Sequence, residues 1–81
     1  MRVDNRLKYW RRRNIDDNTG HVMTQRELGE LSGVDYRLIC DMERGMRLPT
    51  EEELKKICDA LGIQPKDIYD DKTLSIAGAD N

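Results

Sequence analysis

The chain has 81 residues, of which 37% are hydrophobic and 37% charged, with one Trp and no Phe. This length allows one domain with one small core, and the composition favours an aliphatic core between short helices. A net charge of −2 excludes a uniformly basic nucleic-acid-binding protein. The charge is nevertheless uneven: residues 1–13 are strongly basic and residues 49–81 are acidic, which makes one end attractive to phosphate.

The cysteines and the single histidine suggest no metal or cofactor site. Cys40 and Cys58 lack the spacing of a metal knuckle or a disulfide framework, so we expect reduced thiols. His21 has no potential metal ligands placed near it in the sequence. There is no apolar run of membrane-spanning length and no secretion signal, so we expect a cytoplasmic protein without membrane contact.

The first predicted helix covers residues 3–13. Val3, Leu7 and Trp10 lie at i, i+4 and i+7 and predict one apolar stripe. Most of the basic residues fall outside that stripe, either as a solvated face or as an edge that faces phosphate. Residues 14–22 have no periodicity and are predicted to form a loop.

The second helix is predicted to begin after Thr24, because Thr24 and Glu27 have the spacing of a capping box. Leu28 and Leu31 share one face of this helix. Gly33 follows, where a tight turn between helices needs a positive φ.

The third helix is predicted from Asp35, as N-cap, to about Arg44. Its buried side is predicted to hold Leu38, Ile39 and Met42. The residues that face outward are Tyr36, Arg37, Cys40, Asp41 and Arg44. This helix, turn and helix have the pattern of a helix-turn-helix that presents its second helix to a DNA major groove.

Thr50 and Glu53 form a second predicted capping box, and Gly62 is predicted to end that helix. A last short helix is predicted to begin at Pro65. Residues 70–81 lack a helical stripe and are predicted to be a loose, flexible tail. Leu74 and Ile76 alternate with Ser75, so a short strand on docking is the alternative.

The stretches MTQRELGELSGVDYRLICDMERGMRLPT and EEELKKICDALGIQPKDIY resemble the phage-repressor or XRE family of helix-turn-helix regulators. The resemblance covers about residues 3–69. It implies an all-α, compact five-helix domain of the lambda-repressor type over residues 1–69, with the helix-turn-helix at helices 2 and 3. It also implies a prokaryotic or phage-encoded, nucleoid-associated protein. The loop 14–22 is longer than the family's usual turn.

By position, the resemblance implies which residues contact DNA. Those expected to read bases are Tyr36, Arg37, Cys40 and Asp41. Those expected to bind phosphate are Thr24, Gln25, Arg26, Arg44 and Arg47, and the basic run of the first helix adds Arg11 and Arg13. Gln25 can also brace Tyr36. Asp41 could accept from cytosine or pair with Arg37 or Arg44 within the helix, and Cys40 could be a small filler.

The function expected from these features is a sequence-specific double-stranded DNA-binding regulator, a repressor, that binds a palindromic operator as a homodimer. The alternative is a protein-interaction module of the same fold, an antitoxin or anti-repressor, that binds a protein partner through the acidic C-terminal half and tail. Catalysis is not expected, because the sequence holds no nucleophile–base pair and no phosphate-binding glycine loop.

Overall fold

The structure is a computed structural model that describes residues 5–77. Within that range it has six helices and no strand: α1 Leu7–Arg12, α2 Gln25–Ser32, α3 Tyr36–Glu43, α4 Glu51–Leu61, α5 Pro65–Ile68 and α6 Asp71–Ala77. The predicted all-α fold is confirmed. Val3, part of the stripe predicted for the first helix, lies outside the described residues.

The ends of α2, α3 and α4 are formed by the predicted caps. The hydroxyls of Thr24 and Thr50 accept from the backbone N–H groups of Glu27 and Glu53, and both capping boxes are complete. The Asp35 carboxylate accepts from the backbone N–H of Arg37 at 2.9 Å. These contacts satisfy N–H groups that a helix cannot pair internally, so they fix where each helix begins.

The core lies between α2, α3 and α4, with α1 and α5 closing it. Its buried side chains are Leu7, Leu28, Val34, Leu38, Ile39, Met42, Leu54, Ile57, Cys58, Ile68 and Tyr69. Trp10 packs at the margin of this core, and its indole N–H donates to the Asp67 carbonyl at 2.9 Å. Leu31 is 60% exposed, so the apolar face of α2 continues beyond the core.

The loop between α1 and α2 folds back on itself. Ile15 and Val22 form an isolated antiparallel bridge. The Asp16 N–H donates to the His21 carbonyl at 2.8 Å, and the Met23 N–H donates to the Asn14 carbonyl at 2.9 Å. The residues that make this loop longer than the family's usual turn therefore form a hairpin-like turn beside the start of α2.

The sixth helix corrects the prediction for the C-terminal segment. Residues 71–77 are helical, where we predicted a loose tail with a strand as the alternative. The Asp70 carboxylate caps this helix by accepting from the Thr73 N–H at 2.8 Å, and Leu74 packs against the core. The Ile76 side chain and residues 78–81 lie outside the described residues, and the flexibility of the segment stays a prediction.

Across residues 5–77, none of the helices has the length and apolar character that crossing a membrane requires.

Candidate nucleic-acid interface

The position of α3 relative to α2 is set by a close approach at Gly29. A Cβ atom at Gly29 would lie 2.9 Å from the Val34 carbonyl oxygen and 3.2 Å from the Tyr36 Cβ. Only glycine leaves that space free. The turn between the helices is completed by Gly33, whose φ is 76°. The start of α3 is therefore fixed against the middle of α2.

The helix α3 separates into the two faces that its sequence predicts. Leu38, Ile39 and Met42 are buried. Arg37 and Arg44 are exposed, whereas the predicted base-reading residues Tyr36, Cys40 and Asp41 are half-buried. The predicted base-reading residues thus lie on the side of α3 opposite its buried residues, and their contact with bases stays a prediction.

Arg37 and Arg44 differ in their surroundings on this face. In the part of the chain that the structure describes, the Arg37 guanidinium forms no ion pair, so it is available to a guanine edge or to phosphate. Arg44 Nη1 lies 4.0 Å from Asp41 Oδ1, which is a weak, exposed pair within one helix. Of the alternatives for Asp41, the structure therefore contains the pair with Arg44.

The start of α2 brings three of the predicted phosphate-binding residues together. Thr24 uses its hydroxyl for the cap, and Gln25 Nε2 donates to Glu43 Oε1 at 3.2 Å. Arg26 lies against Tyr36 instead: its Cζ is 4.7 Å from the ring centroid and its Nη2 donates to the Tyr36 hydroxyl at 3.4 Å. The resemblance allowed a contact of Gln25 with Tyr36. In the structure Gln25 donates instead to Glu43, at the end of α3.

Arg11, one of the predicted phosphate-binding residues, is buried and hydrogen-bonded inside the protein. It is 9% exposed. Its Nε and Nη2 donate to Glu43 at 2.6 and 2.9 Å, and its Nη1 donates to the Met23 carbonyl at 2.7 Å. A guanidinium that makes three hydrogen bonds to two partners has few donors left for DNA. Sequence reasoning missed Glu43, since no local pattern points to a partner 32 residues away.

Arg13 and Arg47 remain on the surface, as a phosphate-binding role requires. The Arg13 guanidinium is 5.3 and 5.7 Å from the ring centroids of Tyr9 and Trp10, and it donates to the Tyr9 hydroxyl at 2.9 Å. These contacts orient the Arg13 guanidinium without neutralising its charge.

Glu27 connects the hairpin-like loop to the first turn of α2. Its carboxylate accepts from the Thr24 N–H at 2.8 Å and lies 2.9 Å from His21 Nε2. The hydrogen bond from the Thr24 backbone, and then the contact with His21, hold the pKa of Glu27 below its usual value. Residues 5–77 contain no cluster of side chains suited to a metal ion.

Comparison with known proteins identifies the family. Residues 23–68 match the model of a helix-turn-helix family, which is more than half of the chain. The chain belongs to the XRE-type helix-turn-helix family. It is therefore an all-α, DNA-binding transcription regulator by kind, as its sequence resemblance implies. The family match covers α2 to α5, so α1, the hairpin-like loop and α6 lie outside it.

Two relatives of this XRE-type chain are control proteins. It is 38% identical over 52 residues to the control protein C.BamHI of Bacillus amyloliquefaciens, a match that spans 64% of each chain. It is also similar to the crystal structure of the restriction-modification controller protein C.AhdI from Aeromonas hydrophila. That likeness has a TM-score of 0.60 and 31% identity, and covers 76% of this chain and 83% of that one.

Proposed function

We propose that this chain is a sequence-specific regulator of the restriction-modification controller kind, which binds double-stranded DNA by inserting α3 into the major groove. The observation that carries the proposal is the outward face of α3, where Arg37 projects without an ion pair within residues 5–77. An unpaired guanidinium at this place suits the O6 and N7 atoms of guanine. The names of the two relatives support the regulatory role.

The proposed DNA target is a palindromic operator occupied by two copies of the chain, with repression as the outcome. The helix α3 has eight residues, and its positive charge is offset by Asp35 and Asp41. One copy therefore has a short contact and modest phosphate attraction, and a second copy related by two-fold symmetry would double both.

The test is selection of bound duplexes from a random pool, followed by measurement of affinity at about 50 and 200 mM salt. We expect two inverted half-sites about one helical turn, or a multiple of it, apart. We also expect the affinity to fall steeply with salt, because phosphate contacts release counterions. Recovery of no preferred sequence, or affinity that does not change with salt, would contradict the proposal.

A second candidate function is protein interaction, of the antitoxin or anti-repressor kind. A groove of about 550 Å³ between the hairpin-like loop and α2 is lined by Ile15 and Leu31, which are 55% and 60% exposed. Exposed apolar side chains beside one another favour a protein contact. Affinity purification tests this second candidate, which predicts that one protein partner is recovered in stoichiometric amount. Leu31→Ser should abolish recovery of that partner and leave DNA binding intact.

A further inference from the structure

We propose that Arg26 of α2 and Tyr36 of α3 act as a single specificity-determining unit, in which the tyrosine ring orients the guanidinium toward one base pair of the operator. The resemblance implies separate roles for these residues, with Arg26 on phosphate and Tyr36 on a base. The inference rests on the proposed DNA-binding function and adds to it the residue pair that sets one position of the recognised sequence.

The first support is the contact itself. The Arg26 Cζ lies 4.7 Å from the centroid of the Tyr36 ring, and its Nη2 donates to the Tyr36 hydroxyl at 3.4 Å. The guanidinium therefore lies over the ring face, where the ring quadrupole attracts a cation. A pair that joins the first turn of α2 to the first turn of α3 couples the two helices that would face the DNA.

The second support is that Tyr36 is itself held in place. Its Cβ would be only 3.2 Å from a Cβ at Gly29, and its backbone N would be at the same distance. The close crossing of the helices thus fixes the root of the Tyr36 side chain. With its root held, the ring can move only about its two side-chain torsions, so it is less mobile than the long Arg26 side chain that it supports. A side chain ordered before binding loses less entropy on contact with DNA.

The third support is the charge that the pair leaves free. Glu30 and Asp35 line the same hollow of about 260 Å³ as Arg26 and Tyr36. Within residues 5–77, neither carboxylate forms an ion pair with Arg26. An aromatic ring orients a cation without neutralising it. Arg26 therefore keeps its full charge and most of its hydrogen-bond donors, which match the two acceptors of guanine.

The experiment compares the wild-type chain with Arg26→Met, Tyr36→Leu and the double variant, by selection from a random pool and by affinity for the selected operator. We expect both single variants to lose preference at the same base pair of each half-site, with affinity lowered about 10-fold. The double variant should be at most about 3-fold weaker than the worse single variant, because residues that act as a unit are non-additive. Tyr36→Phe keeps the ring and should stay within about 3-fold of wild type.

The matched controls are a second arginine–tyrosine pair, Arg13 with Tyr9, and a distant arginine, Arg44, at the C-terminal cap of α3. Arg13 contacts Tyr9 much as Arg26 contacts Tyr36, but it lies on the basic N-terminal segment. Arg13→Met should therefore weaken all duplexes equally and leave the base preference unchanged. Arg44 is eight residues after Tyr36, about 12 Å along a helix. Arg44→Met and Tyr36→Leu should therefore combine multiplicatively.

Several outcomes would overturn the inference while leaving the proposed function intact. They are loss of preference at two different base pairs, multiplicative effects of Arg26→Met and Tyr36→Leu, a uniform loss on all duplexes, and a Tyr36→Phe variant as weak as Tyr36→Leu. A wild-type chain that selects no duplex would overturn the proposed function and this inference together. Thermal midpoints within a few degrees of wild type confirm that the variants are folded, as expected because Arg26 is exposed and Tyr36 is only half-buried.

Discussion

Arg11 of α1 and Glu43 of α3 form an ion pair with two hydrogen bonds, of 2.6 and 2.9 Å, and their side chains are only 11% and 4% exposed. Gln25, at the start of α2, donates to the same carboxylate. One buried carboxylate therefore joins α1, α2 and α3.

We predict that Arg11→Met lowers the free energy of unfolding by about 3–5 kcal/mol, because Glu43 would stay buried without its charged partner. Urea denaturation measures this change. Adding Glu43→Leu should recover much of the loss, since it removes the unpaired charge. The matched control is Arg12→Met, an exposed neighbour, with an expected change within about 0.5 kcal/mol. An Arg11→Met chain as stable as the Arg12→Met chain would contradict the prediction.

Gly29→Ala should lower the free energy of unfolding by up to about 2 kcal/mol. The added methyl group would lie 2.9 Å from the Val34 carbonyl oxygen, and such overpacking costs about 1–3 kcal/mol. The higher helix propensity of alanine offsets about 1 kcal/mol of that cost. Glu30→Ala, one residue further and exposed, is the control for propensity. A Gly29→Ala chain more stable than wild type would show that α3 is not held closely against α2.

Tyr69→Phe should preserve or increase stability at neutral pH. The Tyr69 side chain is buried, and its hydroxyl has no hydrogen-bond partner among the described residues. An unpaired buried polar group costs about 1–3 kcal/mol, so its removal stabilises the folded chain by up to that amount. Urea denaturation at pH 7 gives the difference. A loss of more than about 1 kcal/mol would reveal a partner for the hydroxyl.

The same substitution should change the response to alkali. Burial, and then the nearby Cys58, raises the pKa of Tyr69 from 10.0 to about 12. Between pH 10 and pH 12 the unfolded chain therefore ionises first and binds fewer protons, so stability falls as pH rises. Tyr69→Phe should reduce this loss. Tyr9→Phe, on an exposed residue, should retain it, and thermal midpoints across this range compare the three chains.

The pKa of Glu27 gives the opposite dependence, at acidic pH. It is lowered from 4.5, chiefly by the Thr24 backbone N–H and then by His21. The contribution of this carboxylate is therefore present above pH 4.5 and is lost as pH falls through the lowered value. Glu27→Ala should lower the thermal midpoint at pH 7, and its difference from wild type should narrow below pH 4.5. A difference independent of pH would mean that the charge of Glu27 contributes nothing.

The features that could be predicted from the sequence are those whose cause is local. The capping boxes at Thr24 and Thr50 and the turn at Gly33 depend on residues within one helical turn of each other, and the structure contains all three. The face of α3 followed from its spacing of Leu38, Ile39 and Met42. Local spacing fixes a helix and its faces, and hence the candidate site.

What the sequence did not reveal depends on contacts between distant residues. Arg11 was assigned to phosphate because it belongs to a basic run, but its partner Glu43 lies 32 residues away. Arg26 reaches Tyr36 across ten residues and the interhelical turn, whereas the resemblance pointed to Gln25. The helix α6 was missed because its short sequence has no clear stripe; a cap at Asp70 and packing of Leu74 form it instead.

Arg37→Ala and Arg44→Ala should separate base reading from phosphate attraction. Both arginines are exposed, Arg37 on α3 and Arg44 at its C-terminal cap, but Arg37 makes no ion pair within residues 5–77 and Arg44 lies 4.0 Å from Asp41. We expect Arg37→Ala to cost about 1–3 kcal/mol of binding free energy and to relax preference at one base pair. We expect Arg44→Ala to lower the affinity for all duplexes equally. The slope of log affinity against log salt concentration should fall in magnitude by about 1, which corresponds to one released counterion. Titration of the selected operator and of a scrambled duplex at several salt concentrations distinguishes the two variants. If Arg37→Ala lowers the affinity for both duplexes equally, Arg37 does not read a base.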